Sequence, residues 1–155
     1  MKKQLLFTFF AFGILNSFSQ DFITTWKTDN PGNSNATSIT IPTFPGETYN
    51  YDIDWDNDGV FDDMGITGSI VHDFGTSGTY TIRIKGLFPR IFFNNGNGNG
   101  GDREKILSVD QWGTISWNSM QAAFAGAAVL EINATDSPDL SNVTSLNSMF
   151  ANCQL

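Results

Sequence analysis

Period-two alternation is the feature that most limits what this chain can fold into. Ser38-Ile39-Thr40-Ile41 alternates polar and apolar residues. Tyr49, Tyr51, Ile53 and Trp55 fall on one face of an extended segment, with Asn50, Asp52 and Asp54 on the other. Tyr80, Ile82 and Ile84 alternate in the same way with Thr81, Arg83 and Lys85. Aromatic and β-branched residues spaced by two mark half-buried strands, because successive side chains of a strand point to opposite faces. Asn30-Pro31-Gly32, Pro45-Gly46, Gly75 and Gly78 punctuate these runs, and no long segment of helical period lies among them. About six short strands in ~70 residues predict an all-β sandwich from Asp21 to about Phe93.

The amino terminus predicts export. Met1-Lys2-Lys3-Gln4 is basic, Leu5 to Leu15 is mostly apolar, and Ser17 and Ser19 place small residues before Asp21. This order is that of a secretory signal peptide, 1–20, with cleavage near Gln20. The apolar stretch is shorter than the ~20 residues a spanning helix needs. No later run of that length exists, so no transmembrane span is expected. The chain carries 8 Lys+Arg against 16 Asp+Glu, a formal net charge of −8 at pH 7. That balance argues against nucleic acid as a partner, since such surfaces need a basic patch. One cysteine, Cys153, and one histidine, His72, exclude an internal disulfide, a Cys-based zinc site and a His-cluster metal site.

Beyond Phe93 the character of the chain changes. Residues 94–102 (NNGNGNGGD) have the composition of a solvated linker. Gly96, Gly98 and Gly101 formally match a dinucleotide-binding glycine pattern, but the Asn filler and the absence of an acid near Gln121 argue against that site. An offset of 26 residues then places Trp117 on Val143, Ser119 on Ser145, Met120 on Leu146 and Ala123 on Met149. Phe124 falls on Phe150, Ala125 on Ala151 and Ala127 on Cys153. Apolar residues meet apolar ones. A period in the twenties predicts a repeat solenoid, each unit a short strand followed by a turn or short helix near Ser119–Phe124 and Ser145–Phe150. About one and a half units fit before Leu155, fewer than the roughly three that close a continuous core. The expectation is a fragment, with a tail from Arg103 that proteolysis trims.

Asp139-Leu140-Ser141-Asn142-Val143-Thr144-Ser145-Leu146-Asn147-Ser148-Met149-Phe150 resembles the unit of bacterial BspA-type leucine-rich-repeat surface proteins. The lead-in from Gly101 to Gly113 resembles the segment that starts such arrays. A weaker resemblance covers residues 21–93. Trp55-Asp56, Asp58-Gly59, His72 with Phe74, and Gly78-Thr79-Tyr80 are similar to the marks of the PKD (polycystic-kidney-disease) domain, although the turn is longer and more acidic than that family's. The combination looks like surface proteins of the Bacteroidetes. The resemblances imply a mainly β chain: a signal peptide at 1–20, an immunoglobulin-like (PKD-like) β-sandwich at 21–93, a linker at 94–102, and the start of a leucine-rich-repeat solenoid at 103–155. They imply a secreted or outer-cell-surface protein, not an enzyme, that adheres to host or neighbouring-cell surface proteins or glycans. The competing expectation is a PKD-like accessory module of a secreted hydrolase.

The strongest chemical signal is Asp54-Trp55-Asp56-Asn57-Asp58-Gly59-Val60-Phe61-Asp62. Asp54, Asp56 and Asp58 alternate, Gly59 permits a sharp turn, Val60 offers a backbone carbonyl, and Asp62 follows. This is the first part of a D-x-D-x-D-G calcium loop, and these five residues are the candidate calcium ligands. The twelfth loop position, where an EF-hand places its bidentate Glu, is Gly65, and flanking helices are not expected. An acidic hairpin turn built on Asn57-Asp58-Gly59 accounts for the same residues. His72, with no second histidine to assist it, reads as a structural strand residue. Cys153 reads as a small core residue, and Trp26, Trp112 and Trp117 as packing residues rather than a sugar platform.

Overall fold

A computed structural model describes residues 20–93 and 101–154. The signal expected at 1–20 and the linker expected at 94–102 therefore lie outside the described residues, apart from Gln20, Gly101 and Asp102. The chain is mainly β, as its alternation predicts. The strands are β1 (Phe22–Lys27), β2 (Ser38–Ile41), β3 (Asn50–Asp54), β4 (Asp63–Ile66), β5 (Ile70–Asp73), β6 (Thr79–Leu87), β7 (Ile106–Gln111) and β8 (Glu131–Ile132). Six of them form one sheet in the order β4-β3-β6-β1-β7-β8, and β2 and β5 form a second. Among the described residues no helix is long and apolar enough to cross a membrane.

The alternating faces point where the pattern says. Tyr49, Tyr51, Ile53 and Trp55 are all buried, as are Ile82 and Ile84 of β6. Ile39 and Ile41 of β2 join them, so the two sheets bury a common core. β1 sits at its centre, with Phe22 and Trp26 fully buried. It pairs antiparallel with β6 on one side and with β7 on the other. Across the outer face of these three strands runs a polar chain. Thr25 Oγ1 donates to Asp110 Oδ2 at 2.7 Å, so the Thr81 hydroxyl, 2.8 Å away, must donate to Thr25.

Residues from both sides of the 94–102 segment therefore share one sheet and one core. Phe22 packs against Phe88, Trp112 and Trp117, with ring centroids 6.4, 5.9 and 5.1 Å apart. Lys105, almost fully buried, donates to Ser34 Oγ and to the carbonyls of Ser34, Asn35 and Ser38, at 2.7–3.1 Å. Asp102 accepts from the backbone N–H groups of Asn33, Ser34 and Thr40 at 2.6–2.9 Å. These two charged residues staple the loop between β1 and β2 to the chain just ahead of β7. A tail with too few repeats to bury its own apolar face thus finds a core on the sheet.

The 26-residue offset has a physical counterpart. Residues 118–126 lie parallel to 144–151, joined by Met120 N to Ser145 O, Ala122 N to Asn147 O, Phe124 N to Met149 O and Gly126 N to Ala151 O, all at 2.7–2.9 Å. Thr144 N returns to Asn118 O at 3.1 Å. Phe124 and Phe150 stack at 5.6 Å with their planes 10° apart. Turns rather than a helix occupy Ser119–Phe124 and Ser145–Phe150. The Asp136 carboxylate ties this second layer to the first by accepting from Trp112 N and Gly113 N at 3.0 and 2.8 Å. Gly113 has φ 66°, and a Cβ there would collide with the backbone of Gln20 and Asp21. The corner after β7 is thereby pressed against the start of β1.

If β7 is an integral strand, cutting the chain within residues 94–100 at an inserted protease site should not release the tail. The two pieces are expected to co-elute in size-exclusion chromatography and to melt in one transition. Separation of the pieces without denaturant would show that β1–β7 pairing does not hold the halves together.

Candidate functional site

The acidic loop begins where β3 ends. In the antiparallel register Asp54 lies opposite Arg83 of β6. Strand alternation predicts an outward Asp54. The structure places it on the expected side but fully buried, because Arg83 and the loop fold over it. Arg83 Nε lies 3.7 Å from Asp54 Oδ2, and Nη1 lies 3.5 Å from Asp21 Oδ2. Nε and Nη2 also donate to Asn57 Oδ1, at 3.0 and 2.8 Å. One guanidinium therefore holds the start of β1, the end of β3 and the loop tip.

Within the loop the carboxylates organise the backbone. Asp54 accepts from Asp58 N at 3.2 Å and Gly59 N at 2.8 Å. Asp56 Oδ1 accepts from Asp58 N at 3.3 Å, and Asp58 Oδ1 from Val60 N at 2.7 Å. Asn57 (φ 59°) and Gly59 (φ 94°) both take the left-handed conformation this path requires, one that Asn and Gly tolerate best. One oxygen each of Asp54, Asp56 and Asp58 lies within 4.8 Å of the others. Partial desolvation in the folded loop, helped by the charges of Asp58 and Asp54, raises the pKa of Asp56 above the ordinary value.

Of the five candidate ligands, the structure brings these three carboxylates together. Asp62 is not among them: its Oδ2 accepts from Trp55 N at 2.9 Å, and its N–H donates to Ile53 O. The turn at Gly59 folds Asp58 back, while Asp62 is already committed to closing the loop onto β3. Val60 is exposed, and its N–H is held by Asp58. Hard carboxylate oxygens suit calcium, which takes six to eight of them. Three side chains, one already beside Arg83, fit a partly hydrated ion rather than an enclosed one.

The neighbouring residues have clear roles. His72 stacks on Trp55 at 4.3 Å with planes 12° apart. Burial pushes the His72 pKa below its usual value, against the opposing pull of Asp63, Asp62 and Asp73, so the ring is neutral at pH 7. Trp26, Trp112 and Trp117 are buried core residues. Cys153 is half-buried against the core, and its thiol donates to Phe124 O at 3.1 Å. Arg83 is the residue that sequence reasoning missed. Its only signal is its place on the polar face of β6, and the β3–β6 register is needed to set it opposite Asp54. No family model, curated protein or solved structure matches the chain.

Proposed function

We propose that the chain is a secreted or cell-surface, non-enzymatic binding protein in which a PKD-like, immunoglobulin-type sandwich carries the start of a BspA-type leucine-rich-repeat array. The array contacts surface proteins or glycans of host or neighbouring cells. The observation that supports this reading most is the parallel stacking of 118–126 on 144–151 at the spacing of the sequence repeat. Equivalent positions differ in one respect. Met120, Ala123, Phe124 and Ala127 are fully buried under the second layer. Their counterparts Met149, Phe150 and Cys153 are only partly buried, and Leu146 is 54% exposed. A further unit of the same pattern would cover them as the second layer covers the first.

In a solenoid each added unit contributes its own interface. Appending a duplicate of residues 130–155 after Leu155, which keeps the offset of 26, should therefore raise Tm by several degrees, a ΔΔG of order 1 kcal/mol or more for a domain this size. An unchanged or lower Tm would overturn the solenoid reading. Export is read separately. Mass spectrometry of the secreted chain should find Asp21 at the amino terminus, and protease added to intact cells should remove the protein if it is displayed. A cytoplasmic chain retaining Met1–Gln20 would refute secretion.

Calcium belongs to this proposal as a stabiliser of the sandwich, held by Asp54, Asp56 and Asp58 with water. Extracellular sites of few ligands bind at ~10⁻⁴–10⁻³ M. At ten times the dissociation constant the gain is about 1.4 kcal/mol by mass action. Millimolar Ca²⁺, and not Mg²⁺, is expected to raise Tm, and Asp56→Asn with Asp58→Asn to abolish the rise. The sign with pH follows from Asp56. Its raised pKa means that the metal-free fold binds the proton more tightly than the unfolded chain does. Acidification through its titration therefore relieves the metal-free fold and removes the calcium effect. Absence of binding up to ~10 mM, above the usual range, would leave the loop an acidic turn.

A further inference from the structure

Beside the acidic loop, and sharing Asp56 with it, β3, β5 and β6 present a second feature, independent of the repeat array. A surface pocket of about 570 Å³ opens between the end of β3, β5 and the start of β6. That volume lies within the ~300–1,000 Å³ of small-ligand sites. Its floor is Trp55, which is 3% exposed. Trp55 Nε1 donates to Asp63 Oδ2 at 2.8 Å and its backbone N–H to Asp62 Oδ2 at 2.9 Å. The ring is thus fixed at both ends. On it lies His72, then Phe74 at 4.6 Å edge to face, then Tyr80 stacked on Phe74 at 3.8 Å with planes 10° apart. The Tyr80 hydroxyl is anchored to Thr76 O at 2.9 Å. His72, Phe74 and Tyr80 are each half-buried and line the pocket.

The rim is entirely acidic. Asp56, Asp62, Asp63 and Asp73 line it, and neither a lysine nor an arginine does. None of these four carboxylates forms an ion pair among the described residues. Asp73 Oδ1 accepts from Thr37 Oγ1 at 2.6 Å and Gly75 N at 2.8 Å, and these bonds hold its carboxyl below the usual range. The hydrogen bonds of Asp62, Asp63 and Asp73 engage one oxygen each, leaving the second for a ligand. A concave site lined by one sign of charge focuses the field on a counter-charge. Aromatic faces attract a cation that carboxylates alone would leave hydrated. A planar guanidinium satisfies both features, since it stacks on a ring while its edge donates to carboxylates in paired bonds.

We propose that this pocket, built on Trp55, His72, Phe74 and Tyr80 and rimmed by Asp62 and Asp73, is a binding site for an arginine side chain presented by a partner polypeptide. A neutral sugar would use the rings but would leave the clustered charge without a counterpart.

The test is an NMR titration of the full chain with N-acetyl-arginine amide in the presence of a chelator, which removes any contribution of calcium. Binding with a dissociation constant on the order of 1 mM is expected, as for one anchoring side chain. The signals of the Trp55 indole, His72 and Tyr80 should move together. N-acetyl-citrulline amide has the same shape without the charge and should leave them in place. Asp62→Asn with Asp73→Asn keeps an acceptor oxygen for the Trp55 and Gly75 N–H groups and should weaken binding roughly tenfold. Should that variant not fold, exposed Asp73→Asn alone should weaken it several-fold. Equal binding of citrulline, no shift up to ~20 mM arginine ligand, or shifts of these signals with N-acetylglucosamine in place of arginine would each overturn the proposal.

Discussion

The pairing of β7 onto β1 is the interaction on which the rest of the molecule depends. β1 has β6 on one edge and β7 on the other, so its backbone groups bond on both sides and its inward residues lie in the middle of the core. Phe22 then meets rings from both chain halves, Phe88 before the glycine-rich segment and Trp112 and Trp117 after it. Offset and edge-to-face ring pairs add to the area they bury, and removing such a hub leaves a cavity that neighbours refill only in part. The parallel layers that follow start from this edge, since β8 pairs with β7 and the 144–151 layer lies on 118–126. The covalent order of the chain suggests two modules, while the hydrogen bonds describe a sheet that continues into a stack.

Charge is the second constraint. The chain has 16 acidic side chains and 8 Lys+Arg, and two of its cations, Arg83 and Lys85, stand where acids crowd. Arg83 serves Asp21, Asp54 and Asn57 at once. Lys85 lies 3.6 Å from Asp52 and 3.6 Å from the centre of the Phe61 ring. Lys105 is buried, with no carboxylate among the described residues within ion-pair distance, its ammonium satisfied by three carbonyls and a hydroxyl instead. Burial lowers its pKa for the same reason, and full hydrogen bonding is what makes such burial tolerable. Among the described residues no cation pairs with Asp56, Asp58 or the rim around His72, so the excess negative charge gathers there.

Much of the fold is legible in sequence because strand alternation is local. Tyr49, Tyr51, Ile53 and Trp55 are buried as their spacing of two requires, and the 26-residue offset reappears as backbone bonds between layers. The candidate site is legible only in part. Asp54, Asp56 and Asp58 converge because they are close in sequence and Gly59 turns the chain. Asp62 departs because it bonds to Trp55, a contact that the loop's closure onto β3 decides and that spacing does not encode. The tail shows the same limit. Counting repeats shows that it cannot close a core alone, and no count reveals that β1 has a free edge to offer it.

The sequence by itself determined the alternating runs that form β2, β3 and β6, their inward faces, the acidic loop, the turn at Gly59 and the repeat spacing, since each follows from side chains a few residues apart or from a period along the chain. Tertiary structure alone decided three things: the register that sets Arg83 against Asp54, the meeting of Trp55, His72, Phe74 and Tyr80 from three strands in one pocket, and the joining of β7 to β1 across 79 or more intervening residues. Each of these brings together groups far apart in the chain. Their encounter is set by which strand edges and apolar faces remain to be covered once the local elements have formed.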